Sequence, residues 1–209
     1  MKIFKNKTIF LIVSIVIILA IVILFLSYKN RPIVIDEDVC VKDLFSRLYS
    51  KSTISSDGIL SASVEMMDDK ESIVIKNIKE NKILKTLESH LSDNTEANLS
   101  GFSSLNFSSE GDKLYFTSNA WTTNYAIHEL DINTGIEKFL ISGGPFLIIP
   151  FGEYVGKLVF SFHDYFLAGG SYDWWWIMDL KTGEIDKDNP IGDDLNNFFD
   201  LICPNSVDK

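Results

Sequence analysis

The chain has 209 residues, with 29 acidic against 19 basic side chains and a mean hydropathy of +0.11. Lys2, Lys5 and Lys7 precede every acid, so the rest of the chain sets 16 bases against 29 acids, a formal charge of −13. Such a surface excludes phosphate-backbone binding, and with it nucleic acid, and disfavours docking onto anionic lipid.

In chain order, the first element is an apolar run. Residues Ile9 to Leu26 are apolar at every position except Ser14. Eighteen residues at about 1.5 Å each span the hydrocarbon layer. The run is too long for a signal peptide, and Ser27-Tyr28-Lys29-Asn30 offers no small-residue cleavage site. An uncleaved, single-pass transmembrane helix over 9–27 is therefore expected, after a short tail (1–8). The lysines before the span outnumber Lys29 and Arg31 after it. That bias keeps the N-terminus cytoplasmic and puts the C-terminal domain on the periplasmic or extracellular side.

A linker and a short helix follow over 28–54. Val41, Leu44, Phe45 and Leu48 fall at i, i+3, i+4, i+7, one apolar stripe. Asp36 to Asp38 supply its N-terminal charge. A matching helix is expected in the tail (191–209), where Leu195, Phe198, Phe199 and Ile202 repeat the spacing. Cys40 and Cys203 lie in or beside these helices. In an oxidising compartment they either pair and tie the domain ends together or remain two separate buried thiols.

Residues 55–190 read as strands and turns. The segments 113–117, 125–130 and 157–161 are short and rich in aromatic and β-branched residues, and 88–101 is the longest loop. Two turn types recur. The first is Ser55-Ser-Asp-Gly58, then Ser108-Ser-Glu-Gly111, then a diverged form ending at Gly156. The second is Asn77-Ile-Lys-Glu-Asn81, Asp131-Ile-Asn-Thr-Gly135 and Asp179-Leu-Lys-Thr-Gly183. Asp or Asn opens such a turn by bonding nearby backbone, and Gly or Asn accepts the left-handed conformation at its close. The unit is thus repeated three times.

The stretch Leu105-Asn-Phe-Ser-Ser-Glu-Gly-Asp-Lys-Leu-Tyr-Phe-Thr-Ser118, followed by Ile127-His-Glu-Leu-Asp-Ile-Asn-Thr-Gly135, resembles a TolB-type β-propeller blade. Ser109 and Glu110 stand where that repeat often has Pro and Asp. The resemblance extends over 102–142, 145–188 and 55–88. It implies four-stranded antiparallel blades, hence an all-β fold, and no particular activity. Closed propellers usually need four or more blades, and three are counted. The domain is then an open stack, or is completed by an oligomer or a partner, or forms one continuous meander. An open stack leaves a face to cover, and the two terminal helices are candidates for that cover.

Residues for chemistry are few. His90, His128 and His163 show no ligand spacing, and no metal, cofactor or P-loop motif occurs. Ser142-Gly143-Gly144 lacks the first glycine of a nucleophile elbow. Asp131-x-Asn133-x-Gly135-x-Glu137 has its glycine one place early for a calcium loop, so it reads as a hairpin. Asn98 and Asn106 begin glycosylation sequons. The unusual feature is Tyr172-Asp-Trp174-Trp175-Trp176, with Tyr165 before it. On a strand, Trp174 and Trp176 face one side and Trp175 the other. The rings either fill space between sheets or form a binding platform, with Trp175 or Tyr165 expected on the outside. No catalytic set is identified. The expected function is a non-enzymatic, membrane-anchored interaction module for a basic protein partner. The alternatives are a glycan or small-ligand domain centred on the tryptophans, a hydrolase using His163, Asp164 and Ser171, and a shortened propeller relative without retained activity.

Overall fold

The computed structural model describes residues 37–120, 125–165, 167, 169–186, 191, 192 and 194–203. The expected span, its tail and its charge-based orientation lie outside the described residues. Among those described, no helix is long and apolar enough to cross a membrane.

Helix α1 (Glu37–Leu48) leads into three antiparallel sheets, and helix α2 (Leu195–Ile202) follows them. Sheet one is a meander of β1 (Ser52–Ile54), β2 (Leu60–Met67), β3 (Lys70–Asn77) and β4 (Lys82–Glu88). Sheet two repeats it with β5 (Ser103–Phe107), β6 (Lys113–Asn119), β7 (Tyr125–Asp131) and β8 (Glu137–Ser142). Sheet three holds β9 (Phe146–Ile148), β10 (Leu158–Tyr165) and β11 (Ser171–Met178). No sheet closes on itself, and the sheets are separate, which rules out a continuous meander.

Both recurrent turns sit where their chemistry puts them. The first type joins strands one and two of each sheet, and the second leaves strand three. Gly135 N–H donates to Asp131 O at 2.7 Å, and Gly183 N–H to Asp179 O at 2.8 Å. Asn81, Gly135 and Gly183 close the three turns at φ of 50°, 77° and 74°, the left-handed region that Gly and Asn tolerate best.

Sheet three has three strands among the described residues. At its fourth position these form isolated bridges, Met178 with Ile185 and Trp175 with Gly192. The sequence here is acidic and interrupted by Pro190 and Gly192, a poor composition for a ladder.

Apolar side chains alternate with the pleat and bind the sheets into layers. Ala62, Ile73 and Ile75 of sheet one meet Leu105, Leu114, Phe116 and Leu130 of sheet two. From the other side of sheet two, Tyr115 and Ile127 meet Phe146, Leu158 and Phe160 of sheet three. The far face of sheet three, with Leu147, Ile149 and Val159, is covered by Leu44 and Leu48 of α1 and by Leu195, Phe199 and Ile202 of α2. The helices therefore supply the cover that an open stack requires. At the other end, the outward positions of β2 and β3 are mostly polar, around the buried Val74. Lys76 pairs with Glu65 at 2.7 Å, and Ser63 Oγ donates to the same carboxylate at 2.7 Å. One end of the stack thus stops on polar chemistry and the other on helices. A disulfide joins Cys40 to Cys203, with Cα atoms 6.0 Å apart and a sequence separation of 163.

The link from sheet two to sheet three is tight. Gly144 N–H donates to Ser161 O at 2.7 Å. A Cβ on Gly143 would stand 2.7 Å from both Phe160 Cδ2 and Ser161 O. The Ser142-Gly-Gly stretch thus allows close backbone approach rather than presenting a nucleophile.

The turn aspartates make a testable contribution. Asp57 accepts from Ser55 Oγ and Ile59 N, Asp131 from Thr134 N, and Asp179 from Lys181 N and Thr182 N. Those donors, led by Ser55 Oγ, Thr134 N–H and Lys181 N–H respectively, hold the three carboxyls below their ordinary range. A carboxyl lowered in the folded state adds stability that is complete above the unfolded value of about 4. That stability disappears as pH falls through the lowered folded values. Thermal unfolding followed through the acid range should therefore drop less steeply for an Asp57→Asn, Asp131→Asn, Asp179→Asn variant than for the parent. Parallel curves would refute the assignment.

Candidate functional site

The β10–β11 hairpin carries the site. Its register pairs Phe160 with Trp176, Phe162 with Trp174 and Asp164 with Tyr172. The two-residue period puts these six side chains on the face toward sheet two. β9 pairs only with Leu158 to Phe160 of β10, so the distal half of the hairpin projects beyond it. The aromatic row is consequently half-buried rather than sealed. Trp174 and Trp176 stack at 6.4 Å between centroids and 29° between planes, and Tyr172 meets Trp174 edge-on at 5.7 Å. Beside them runs a groove of about 360 Å³, lined by Ile141, Phe160, Phe162, Asp164, Trp176 and Ile185. Tyr172 Oη donates to Asp164 Oδ2 at 3.2 Å. Desolvation first, and then the neighbouring Asp164 carboxylate, raise the Tyr172 hydroxyl above its ordinary value.

Trp175 and Tyr165 belong to the opposite face. Trp175 packs with Ile177 against the helix-covered core, so it is not the outward tryptophan. Tyr165 is exposed and meets the His163 ring edge-on at 5.0 Å. The four residues singled out in the sequence thus divide into Trp174 with Trp176 and Trp175 with Tyr165. The hydrolase set does not converge. His163 Nδ1 lies 2.8 Å from Asp173 Oδ1, Asp164 sits on the other face with Tyr172, and Ser171 pairs across from Tyr165 at the hairpin end.

No family model matches the chain, and no curated protein matches it in sequence. Solved structures similar to it include TolB from Acinetobacter baumannii, at 16% identity and TM-score 0.47, covering 69% of this chain and 32% of that one. Hydrazine synthase from Kuenenia stuttgartiensis is similar at 14% identity and TM-score 0.46, over 69% and 42%. The β-propeller domain of the Trilobed protease from Pyrococcus furiosus is similar at 18% identity and TM-score 0.44, over 66% and 42%. The chain spans a third to under half of the length of these three proteins. Its antiparallel sheets and their turn positions agree with the TolB-type blade repeat that the sequence resembles.

A second cluster went unseen in the sequence. Ser118, His128 and Glu137 form a chain of contacts across β6, β7 and β8 of sheet two. Ser118 Oγ lies 2.9 Å from His128 Nε2, and His128 Nδ1 lies 2.5 Å from Glu137 Oε1. The order resembles a nucleophile, a base and an acid, but the proton direction is wrong. Ser118 Oγ gives its single proton to Asn98 O at 2.6 Å. Ser118 therefore has no proton left for the imidazole, whereas a nucleophilic serine donates to its base. Ser118 and His128 are also fully buried, and His128 stacks on Phe116 at 5.1 Å. The cluster is a polar fastening of the core. The Asp131–Gly135 turn was its available signal, because that hairpin pairs His128 with Phe139 and Leu130 with Glu137.

The sequons differ in access. Asn106 is buried, and its Nδ2 donates to Ser104 O at 3.0 Å, so it is no glycan acceptor. Asn98 Oδ1 accepts from Ser92 N–H at 2.6 Å. Among the described residues, no group of three or more His, Cys, Asp or Glu side chains is placed to hold a metal ion.

Proposed function

We propose that the chain is a membrane-anchored, extracytoplasmic interaction module, built as an incomplete β-propeller, that binds a basic protein without catalysing a reaction. One observation carries this reading: the half-buried row Tyr172, Trp174 and Trp176 on a hairpin that projects beyond its sheet. Tyr and Trp supply large contact area at low entropic cost and dominate interface energetics. The apolar run Ile9 to Leu26 supports the anchor. The Cys40–Cys203 disulfide supports an oxidising compartment. The formal charge of −13 beyond residue 27 supports a basic partner through steering and complementarity. Pull-down with the tagged chain from its own membranes, followed by elution in rising salt, should release a basic protein at moderate ionic strength. Capture indifferent to salt, or none, would contradict the reading. The near-parallel Trp174 and Trp176 rings favour a second reading, a sugar platform, on which chitohexaose would shift the tryptophan emission.

A further inference from the structure

We propose that the groove between sheets two and three receives an arginine side chain of the partner protein, its guanidinium held between the Trp174–Trp176 row and the Asp164 carboxylate. This rests on the interaction-module reading and names the chemistry that its site would recognise. Five of the six lining residues are apolar: Ile141, Phe160, Phe162, Trp176 and Ile185. The sixth, Asp164, is the only charged one among the described lining residues. An anion is repelled by that carboxylate, and a purely apolar ligand leaves unused the lone pairs that remain beyond its bonds from Tyr172 Oη and Tyr165 N–H. A sugar needs several polar partners around its ring. Here the groove offers one carboxylate, and the adjacent Tyr172 hydroxyl already donates to it.

A guanidinium satisfies both halves of the site. Its flat face stacks on indole within about 6 Å of the ring centroid, and Trp is the strongest aromatic partner for a cation. Its N–H fork fits a carboxylate. Its aliphatic stem covers apolar wall. Trp176 and Asp164 both line the groove, and Trp174, stacked on Trp176, stands between them on the same face of the hairpin, so a side chain lying along the row reaches ring and carboxylate together. The acidic surface concentrates such cations near the groove.

The test uses the full chain in detergent micelles and its tryptophan emission. Acetyl-Gly-Arg-Gly-amide should quench saturably, and the citrulline counterpart should bind about tenfold more weakly, as expected for loss of one cation–π and ion-pair contact. Trp174→Leu keeps an apolar side chain and Asp164→Asn keeps the shape. Each should also weaken the arginine peptide about tenfold while the chain still melts in one cooperative transition, Trp174→Leu a few degrees lower for the loss of its ring contacts. Equal binding of the citrulline peptide, or unchanged binding by Trp174→Leu, overturns the proposal. So does agmatine binding as tightly as the peptide, which assigns a free organic cation, or chitohexaose quenching where the peptide does not. Salt-sensitive capture of a membrane protein that survives both substitutions overturns the groove and leaves the interaction reading intact. Absence of such capture by the parent chain overturns the interaction reading itself.

Discussion

Replacing Cys203 with serine should lower the melting temperature by about 10–20 °C, and reduction of the parent chain should do the same. The bond closes a loop of 163 residues, and the chain-entropy model gives about 5 kcal/mol for a loop of that size. For a domain of this length, each kcal/mol moves the midpoint by about 2–4 °C. The effect has a local signature. Cys40 and Cys203 fasten α1 to α2, whose Phe45 and Phe199 rings meet edge-on at 4.9 Å. Together the helices cover the face of sheet three that holds Leu147, Val159 and Trp175. Loosening them should expose Trp175 and redden the tryptophan emission before global unfolding. A melting point unchanged to within about 2 °C in the Cys40→Ala, Cys203→Ala variant would refute the role.

His128→Ala should cost about 3–4 kcal/mol in equilibrium denaturation. Two terms combine. The substitution removes a fully buried ring stacked on Phe116 and edge-on to Phe139, and leaves a cavity. It also strips Glu137 and Ser118 of their shared partner, and a buried polar group without a hydrogen bond costs about 1–3 kcal/mol. His128→Gln, which keeps a donor near Ser118, should lose about half as much. Glu137→Gln keeps the shape and a hydrogen-bonding amide beside Nδ1 and should be the mildest of the three. Should His128→Ala instead keep full stability while abolishing an ester-hydrolysing activity, the fastening would have to be reread as a catalytic set.

Much of the architecture was legible because its determinants are local. Asp131 and Asp179 bond to the residues that follow them, and Gly135, Gly183 and Asn81 accept positive φ, so the second turn declares itself three times within five residues. The stripe Leu195, Phe198, Phe199, Ile202 likewise repeats at helical spacing, and its buried members prove to be the cover for sheet three. The alternation of Trp174, Trp175 and Trp176 across a strand was equally readable. Which of them meets core was not. Trp175 faces inward because α1 and α2, lying at opposite ends of the sequence, close over that side.

The candidate site shows the same division. Period-two alternation set Trp174 and Trp176 on one face, and turn spacing set the hairpins, by interactions between residues a few positions apart. The groove, the Asp164–Tyr172 contact and the Ser118–His128–Glu137 fastening depend on register and on which sheet lies against which. Those are settled by packing among side chains tens of residues apart, where no local pattern records the partner. The fourth position of sheet three is the intermediate case. Its acidic, proline-interrupted stretch was visible in the chain, but only the finished fold paired Ile185 with Met178 and Gly192 with Trp175.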